Sequence, residues 1–334
     1  MTSKTCLIGQ DQVERVLTME EALDAVEEAF TAYGDGRVQM PPKPYLNFER
    51  GDLRCMPAYV PDLGVATVKN VNVHPENTEL PTVMGTVTVF DPDTGFALAI
   101  MDGTYLTAMR TAAATGVAAR YLARPDCVTL GFIGAGRQAE TQFEALKTVL
   151  SGISTVLIHD LDPNRARRLA QKWANDHNVE AHACSAEQVV SEACVLTTVT
   201  PVREPVVMRK WVQPGTHINA IGADASGKQE LETSILTDAK VVIDSWEQSS
   251  HGGEINVAVS QGIFTREDIH ADIGEVVTGR KPGRESREEI TVFDSTGLAI
   301  QDCACAAHVY ERVARVEEDE ECQNYMDFLD GSEN

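Results

Sequence analysis

The feature that most restricts the fold is residues 130–146, LGFIGAGRQAETQFEAL. A continuous apolar run, CVTLGFI, enters a glycine-rich turn and leaves it with helical spacing. Such a run suits a parallel strand covered on both faces. Gly134 permits the tight turn, Gly136 lets the backbone approach a pyrophosphate, and Ala139 is small enough for the helix to pack on the strand. Arg137 and Gln138 fill the first helical turn and are counted with the same site. The free N–H groups and positive dipole of that helix end favour phosphate.

Alternation continues beyond the turn. TVLIHD, ACVLTTVT, THINAIGA, KVVIDS and ITVFDS read as further strands, and PNRARRLAQKWAND reads as a helix. The pattern predicts a doubly wound α/β domain over 122–297, the rest of the chain (1–121 and 298–334) forming a second domain. Asp160 lies 21 residues beyond Ala139 and closes the second strand. A carboxylate there accepts hydrogen bonds from an adenosine ribose and repels a 2′-phosphate, which favours NAD over NADP. Arg165, Arg167 and Arg168 keep NADP as the lesser alternative. Ser295, in DSTG at the end of the last strand, is assigned to the nicotinamide end. The competing reading is a Rossmann-like domain that binds no nucleotide.

The 334 residues suffice for two cores, and a net charge of −23 argues against nucleic acid or an anionic membrane as partner. Part of the acidity is the run EEDEE, residues 317–321, expected to be a solvated end; a salt-rich cytosol would favour the same surface. No run approaches the roughly 18 apolar residues of a membrane span. The start lacks the basic and apolar regions of a signal peptide, so a cytoplasmic protein is expected. Eight cysteines contain no Cys-x-x-Cys pair, and buried free thiols are expected. His251 and Glu254 in HGGE are too few for a metal site, and no metal is expected.

Before the turn the texture differs. Residues 18–34 predict a helix with a Thr18/Glu21 capping box and a stripe of Leu23, Val26, Phe30 and Tyr33. PYLNFE, GVATVKNVNV, MGTVTVFD and GFALAIM predict a mainly antiparallel sheet, and 104–123 an alanine-rich helix. A further helix around 304–313 is expected to pack on this domain. Against the acidic background, cations in apolar settings stand out: Lys69 within a strand, Arg110 on an apolar helix, Lys43 and Arg54 flanking the first strands. A lone strand lysine is commonly an edge residue. Several such cations in one small domain fit a carboxylate-bearing substrate better.

At this point the chain resembles the ornithine cyclodeaminase/μ-crystallin family, which includes an archaeal type of alanine dehydrogenase. The resemblance runs over nearly the whole length, through RCMPAY, VKNVNVHPEN, FDPDTGFALAIMDGTYLTAMRTAAATGVAARYLA, GFIGAGRQAE, NAIGADASGKQEL and VFDSTGLAIQD in that order. It implies a Rossmann domain inserted into an α+β substrate-binding and dimerisation domain built from both chain ends, and a homodimer. It also implies that Lys43 and Arg110 hold a substrate carboxylate, that Lys69 stands beside the reacting carbon, and that Asp224 is the acid/base. From the residues alone Asp224 is equally a turn former.

The reaction so implied is hydride exchange between nicotinamide and an amino-acid α-carbon through an imine, on a small amino acid or a cyclic imine. Ornithine cyclodeaminases carry a glutamate just before the Met-Pro pair, where this chain has Arg54. A cation there disfavours ornithine and suits a small or anionic substrate. The reading is an NAD-linked amino-acid dehydrogenase or imine reductase, with a cyclodeaminase second. A non-catalytic μ-crystallin-like binding protein is the alternative from another class.

Overall fold

A computed structural model of the chain describes residues 4–316 and 322–323; the acidic run 317–321 lies outside the described residues. In chain order the elements are β1 (Thr5–Ile8), α1 (Gln10–Val16), α2 (Met19–Gly34), β2 (Tyr45–Phe48), β3 (Gly51–Val60), β4 (Val65–Val73), β5 (Val83–Phe90), β6 (Ala97–Asp102) and α3 (Thr104–Leu122). There follow β7 (Thr129–Ile133), α4 (Arg137–Val149), β8 (Thr155–His159), α5 (Pro163–His177), β9 (Glu180–Ala183), α6 (Ala186–Glu192), β10 (Val195–Thr198) and β11 (His217–Ala220). The remainder is α7 (Thr233–Asp238), β12 (Lys240–Ile243), α8 (Trp246–Gly252), α9 (Asn256–Ser260), β13 (Ala271–Asp272), α10 (Ile273–Val277), β14 (Thr291–Asp294), α11 (Ala299–Val316) and β15 (Cys322–Gln323).

Two compact units divide the chain, one of residues up to Thr111 together with those from Leu298, the other Ala112–Gly297. The first division falls inside α3, ahead of the boundary that the sequence pattern suggests at the helix end, because a continuous helix carries the chain from one unit to the next.

In the first unit a seven-stranded sheet has the order β15-β1-β6-β5-β4-β3-β2. All neighbours are antiparallel except β1 and β6. Helix α11 packs on α2 and across β3, β4 and β5. The capping box that starts α2 is present: Glu21 N–H donates to Thr18 Oγ1, and Thr18 N–H to the Glu21 carboxylate at 2.9 Å. Leu23, Val26 and Phe30 are fully buried, each contributing about 1.5–3 kcal/mol through removal from water.

Arg54 lies inside the ten-residue β3 and does not flank it. Pro57 hides that strand from a sequence reading, yet costs the ladder little. On the β2 side Cys55 N–H donates to Pro44 and Tyr59 N–H to Gln39, so Pro57 occupies the step between two hydrogen bonds.

The second unit is an eight-stranded sheet of order β13-β12-β14-β11-β10-β7-β8-β9, parallel throughout. Strand order reverses between β7 and β10, the switch point of a doubly wound sheet, where ligands enter beyond the carboxyl ends. Phe143 of α4 stacks on Trp173 of α5 with centroids 4.4 Å apart, and Phe132 of β7 meets Trp173 edge-on at 5.1 Å. That aromatic cluster fixes the helix following the glycine turn against its strand.

The expectation of free thiols is corrected for Cys6, which is disulfide-bonded, and for one further pair. Cys127 and Cys194, just before β7 and β10, form a disulfide. The two strands are parallel neighbours, so their entry points meet although 67 residues separate them. Cys55, Cys184, Cys303 and Cys305 are free, the last two buried. Among the described residues no helix is long and apolar enough to cross a membrane.

Candidate active site

Alternate residues of a strand share a face, and Arg54 opposes Val71 while Met56 opposes Lys69. Arg54 and Lys69 therefore stand on one face of the first unit's sheet. Lys69 is fully buried. Its ammonium donates to Asp302 Oδ1 of α11 at 2.7 Å and approaches Thr107 Oγ1 of α3 at 3.5 Å. Arg110 donates from Nε to the same Asp302 oxygen at 2.9 Å and from Nη1 to Gln301 Oε1 at 2.9 Å. One carboxylate oxygen thus serves two cations. Asp302 Oδ2 and Gln301 Nε2 are buried without hydrogen-bond partners among the described residues.

Burial pushes the Lys69 pKa down, and the charges of Arg110 and Lys43 push it further. Asp302 pulls it back, and the outcome is about 7 instead of 10.5. Lys43 itself is half-buried, ahead of β2. Lys69, Arg110 and, through its field, Lys43 are thereby brought together. Arg54 is different. It grips Asp52 with two bonds, Nε to Oδ1 at 2.8 Å and Nη2 to Oδ2 at 3.1 Å, and lies over the Tyr45 ring at 5.4 Å. Its charge is neutralised two residues away on its own strand, which weakens the argument that a cation at this position repels a diamino acid.

In the second unit Gly134 has φ +106°, and a Cβ there would stand 3.0 Å from Thr200 Cγ2 and from the Val199 carbonyl. Both conformation and crowding demand glycine. Gly136 caps α4 without a side-chain bond, and a Cβ on it would meet nothing within 4 Å. The helix N-terminus therefore opens onto free space that the missing side chain leaves for an anion to approach, which is the geometry a dinucleotide pyrophosphate needs. Ala139 is fully buried beneath, Gln138 is half-buried, and Arg137 is exposed at the helix start. Asp160 accepts from Ala135 N–H with Oδ2 and from Asp162 N–H with Oδ1, both at 2.8 Å. It thus holds the glycine turn to the end of β8.

Asp224 occupies the loop after β11 and pairs with Lys228. Asn256 braces this loop, accepting from Gly227 N–H at 2.8 Å and donating to the Lys228 carbonyl at 2.8 Å. Ser295 is buried, with Oγ 3.5 Å from Asp244, whose carboxylate also takes the N–H groups of Thr296 and Gly297. Glu254 spends its oxygens on the N–H groups of Glu230 and Leu231, while His251 is exposed.

Sequence reasoning missed Asp302, Lys228, Glu230 and Asp244. Asp302 carried the signal that exposed Arg110, a charge amid the apolar spacing of IQDCAC. Lys228 and Glu230 sit in a polar loop, where nothing distinguishes them from solvated residues, and Asp244 ends the strand run KVVID as an ordinary strand-terminating carboxylate would.

Strand order and the glycine turn make this a Rossmann-type protein. The model of the ornithine cyclodeaminase/mu-crystallin family matches residues 3–317, and the chain belongs to that family. It is 53% identical to the alanine dehydrogenase of Archaeoglobus fulgidus over 310 residues, 92% of this chain and 95% of the relative. Among solved structures, an archaeal alanine dehydrogenase dimer with bound NAD superposes with a TM-score of 0.91 at 52% identity, covering 94% of this chain and 97% of the other. The Δ1-pyrroline-2-carboxylate reductase of Thermococcus litoralis, in complex with NADH and L-proline, gives a TM-score of 0.90 at 36% identity, with coverage of 93% and 98%.

Replacing Asp302 with Asn removes the counter-charge of two buried cations. The expected loss is about 3–5 kcal/mol of stability at pH 6. It should be smaller at pH 9, where Lys69, with its pKa near 7, is already neutral and only Arg110 is deprived. Denaturant melts of both proteins at the two pH values check the magnitude and the sign.

Proposed function

We propose that the chain is an NAD-dependent amino-acid dehydrogenase or imine reductase. It would exchange hydride between nicotinamide and the α-carbon of a small amino acid by way of an imine. The observation that carries this reading is the buried cluster in which Lys69 and Arg110 share Asp302. An acidic chain has no structural need to bury two cations on one carboxylate, whereas a carboxylate-bearing substrate needs such a charge field. The alanine dehydrogenase and reductase relatives support the same chemistry.

In this reading nicotinamide supplies the hydride acceptor or donor. Gly134, Gly136, Arg137, Gln138, Ala139 and Asp160 hold the cofactor, and Ser295 stands toward its nicotinamide end. Arg110 and Lys43 orient the substrate carboxylate, and Arg54, fixed by Asp52, contributes a shaped guanidinium edge and little net charge. Lys69 and Asp224 carry protons to and from the nitrogen and water of the imine step. A lysine poised near neutrality can do so in either direction.

The Asp52–Arg54 pair favours one second reading, a cyclodeaminase, because it lifts the charge barrier against a diamino acid. A homodimer is proposed as well. On the sheet face opposite Lys69, Leu46 is 60% and Phe48 49% exposed, while Leu7 at 46% faces Ile100 across β1 and β6. Apolar side chains so placed suit a second copy.

Purified protein incubated with NAD and single amino acids, including L-alanine and L-ornithine, tests the reading when NADH and ammonia are followed together. Both rising in step is the expected result. Ammonia from ornithine without net NADH would make it a cyclodeaminase. Neither product, with cyclic imines also unreduced by NADH or NADPH, would leave a binding protein. For the cofactor, Asp160→Ser should weaken NADH binding by about tenfold, a lost pair of charge-assisted hydrogen bonds, and NADPH binding by much less. Equal losses for both would remove Asp160 from ribose recognition.

A further inference from the structure

Glu230 is fully buried, close in sequence to Asp224, and unused by the chemistry above. Its carboxylate accepts four hydrogen bonds: from Thr198 Oγ1 at 2.7 Å, Thr200 N–H at 2.7 Å, Thr200 Oγ1 at 2.6 Å and Gly222 N–H at 2.8 Å. The first three donors belong to the carboxyl end of β10 and the second residue beyond it. The fourth lies two residues before Asp224.

Contacts on both sides of this clamp are tight. A Cβ on Gly222 would stand 2.2 Å from the Thr200 carbonyl and 2.5 Å from Glu230 Oε2, so only glycine lets the two loops come this close. Thr200 in turn packs its methyl group against Gly134, the first glycine of the dinucleotide turn. Glu230 therefore joins three segments: the turn through Thr200, the end of β10, and the loop carrying Asp224.

The clamp is itself held from behind. Glu254 accepts the N–H groups of Glu230 and Leu231, and Asp294 accepts those of Glu254 and Ile255. Each carboxylate fixes the backbone of the next. Among the described residues no lysine, arginine or histidine donates to Glu230, so charge neutralisation does not account for the clamp. Burial pushes the Glu230 pKa up and these four donors pull it partly back. In its ionised form the carboxylate is acceptor-only and can receive all four bonds at once.

We propose that Glu230 is a positioning residue that sets the place of Asp224 relative to the dinucleotide turn, by holding Gly222 and Thr200 on one carboxylate. The proposal rests on the reading of Asp224 as the acid/base.

Glu230→Gln keeps the shape but turns an NH₂ group toward hydrogen-bond donors, so at least one strand of the clamp is released. Since the turn keeps its own anchors at Gly134, Gly136 and Asp160, the expected result is a split. Turnover falls by about tenfold or more, as displacement of a proton-transfer group does. NADH affinity, followed by quenching of tryptophan fluorescence, stays within about threefold, and melting stays cooperative. Unchanged turnover overturns the proposal. Turnover and NADH affinity lost in proportion also overturn it, since Glu230 would then serve the fold at large. Should Glu230→Gln fail to fold, Glu230→Asp, which keeps the charge but falls short of the donors, is judged by the same split. Asp224→Asn is run alongside. If it retains full turnover, the acid/base reading fails; if it loses turnover while the Glu230 variant does not, the positioning proposal alone fails.

Discussion

The account depends on one shared carboxylate oxygen. Asp302 Oδ1 lies within 2.9 Å of both Lys69 Nζ and Arg110 Nε, in surroundings that leave Lys69 no solvent exposure. Two buried cations with one anion leave a net positive charge. A low-dielectric interior tolerates that poorly unless a further anion arrives or a proton leaves. Substrate carboxylate can supply the first response, and the depressed pKa of Lys69 is the second. In the proposed reading the same imbalance serves both to attract an acid and to ready a proton for transfer.

The second unit meets its own constraint with carboxylates on backbone N–H groups. Asp160 fixes the glycine turn, Asp244 fixes the segment after β14, and the Glu230–Glu254–Asp294 succession braces the loops around Asp224. Burial raises the Asp294 pKa to about 8, with the nearby Asp244 adding to the effect. Loops at the carboxyl ends of parallel strands have no ladder to bond with. Acidic side chains reaching back into the sheet replace it, so part of the chain's acidic composition serves architecture as well as surface.

The alternation of strands and helices was readable because each period is local. The capping box at Thr18 and the spacing from Ala139 to Asp160 are likewise distances along the chain. Relations across the chain were not readable. Cys127 and Cys194 meet only because β7 and β10 are neighbours, which no spacing rule announces. Strand β3 was obscured by Pro57, and with it the fact that Asp52 and Arg54 share a face, so Arg54 read as a free cation. Short strands such as β9, EAHA, lack the branched and aromatic residues that mark a strand, and tertiary pairing alone forms them. Asp302 needed the knowledge that α11 crosses β4 at Lys69.

The most direct test of the central claim is the pH dependence of amino-acid oxidation. In the proposed reading Lys69 accepts a proton in that direction, so its neutral form is the active one. With a pKa of about 7, kcat/KM should rise through that pH and level above it, and Lys69→Met should abolish the limb. A limb near the ordinary lysine pKa of 10.5, or one that survives in the variant, would contradict the claim that the buried cluster tunes Lys69 for proton transfer.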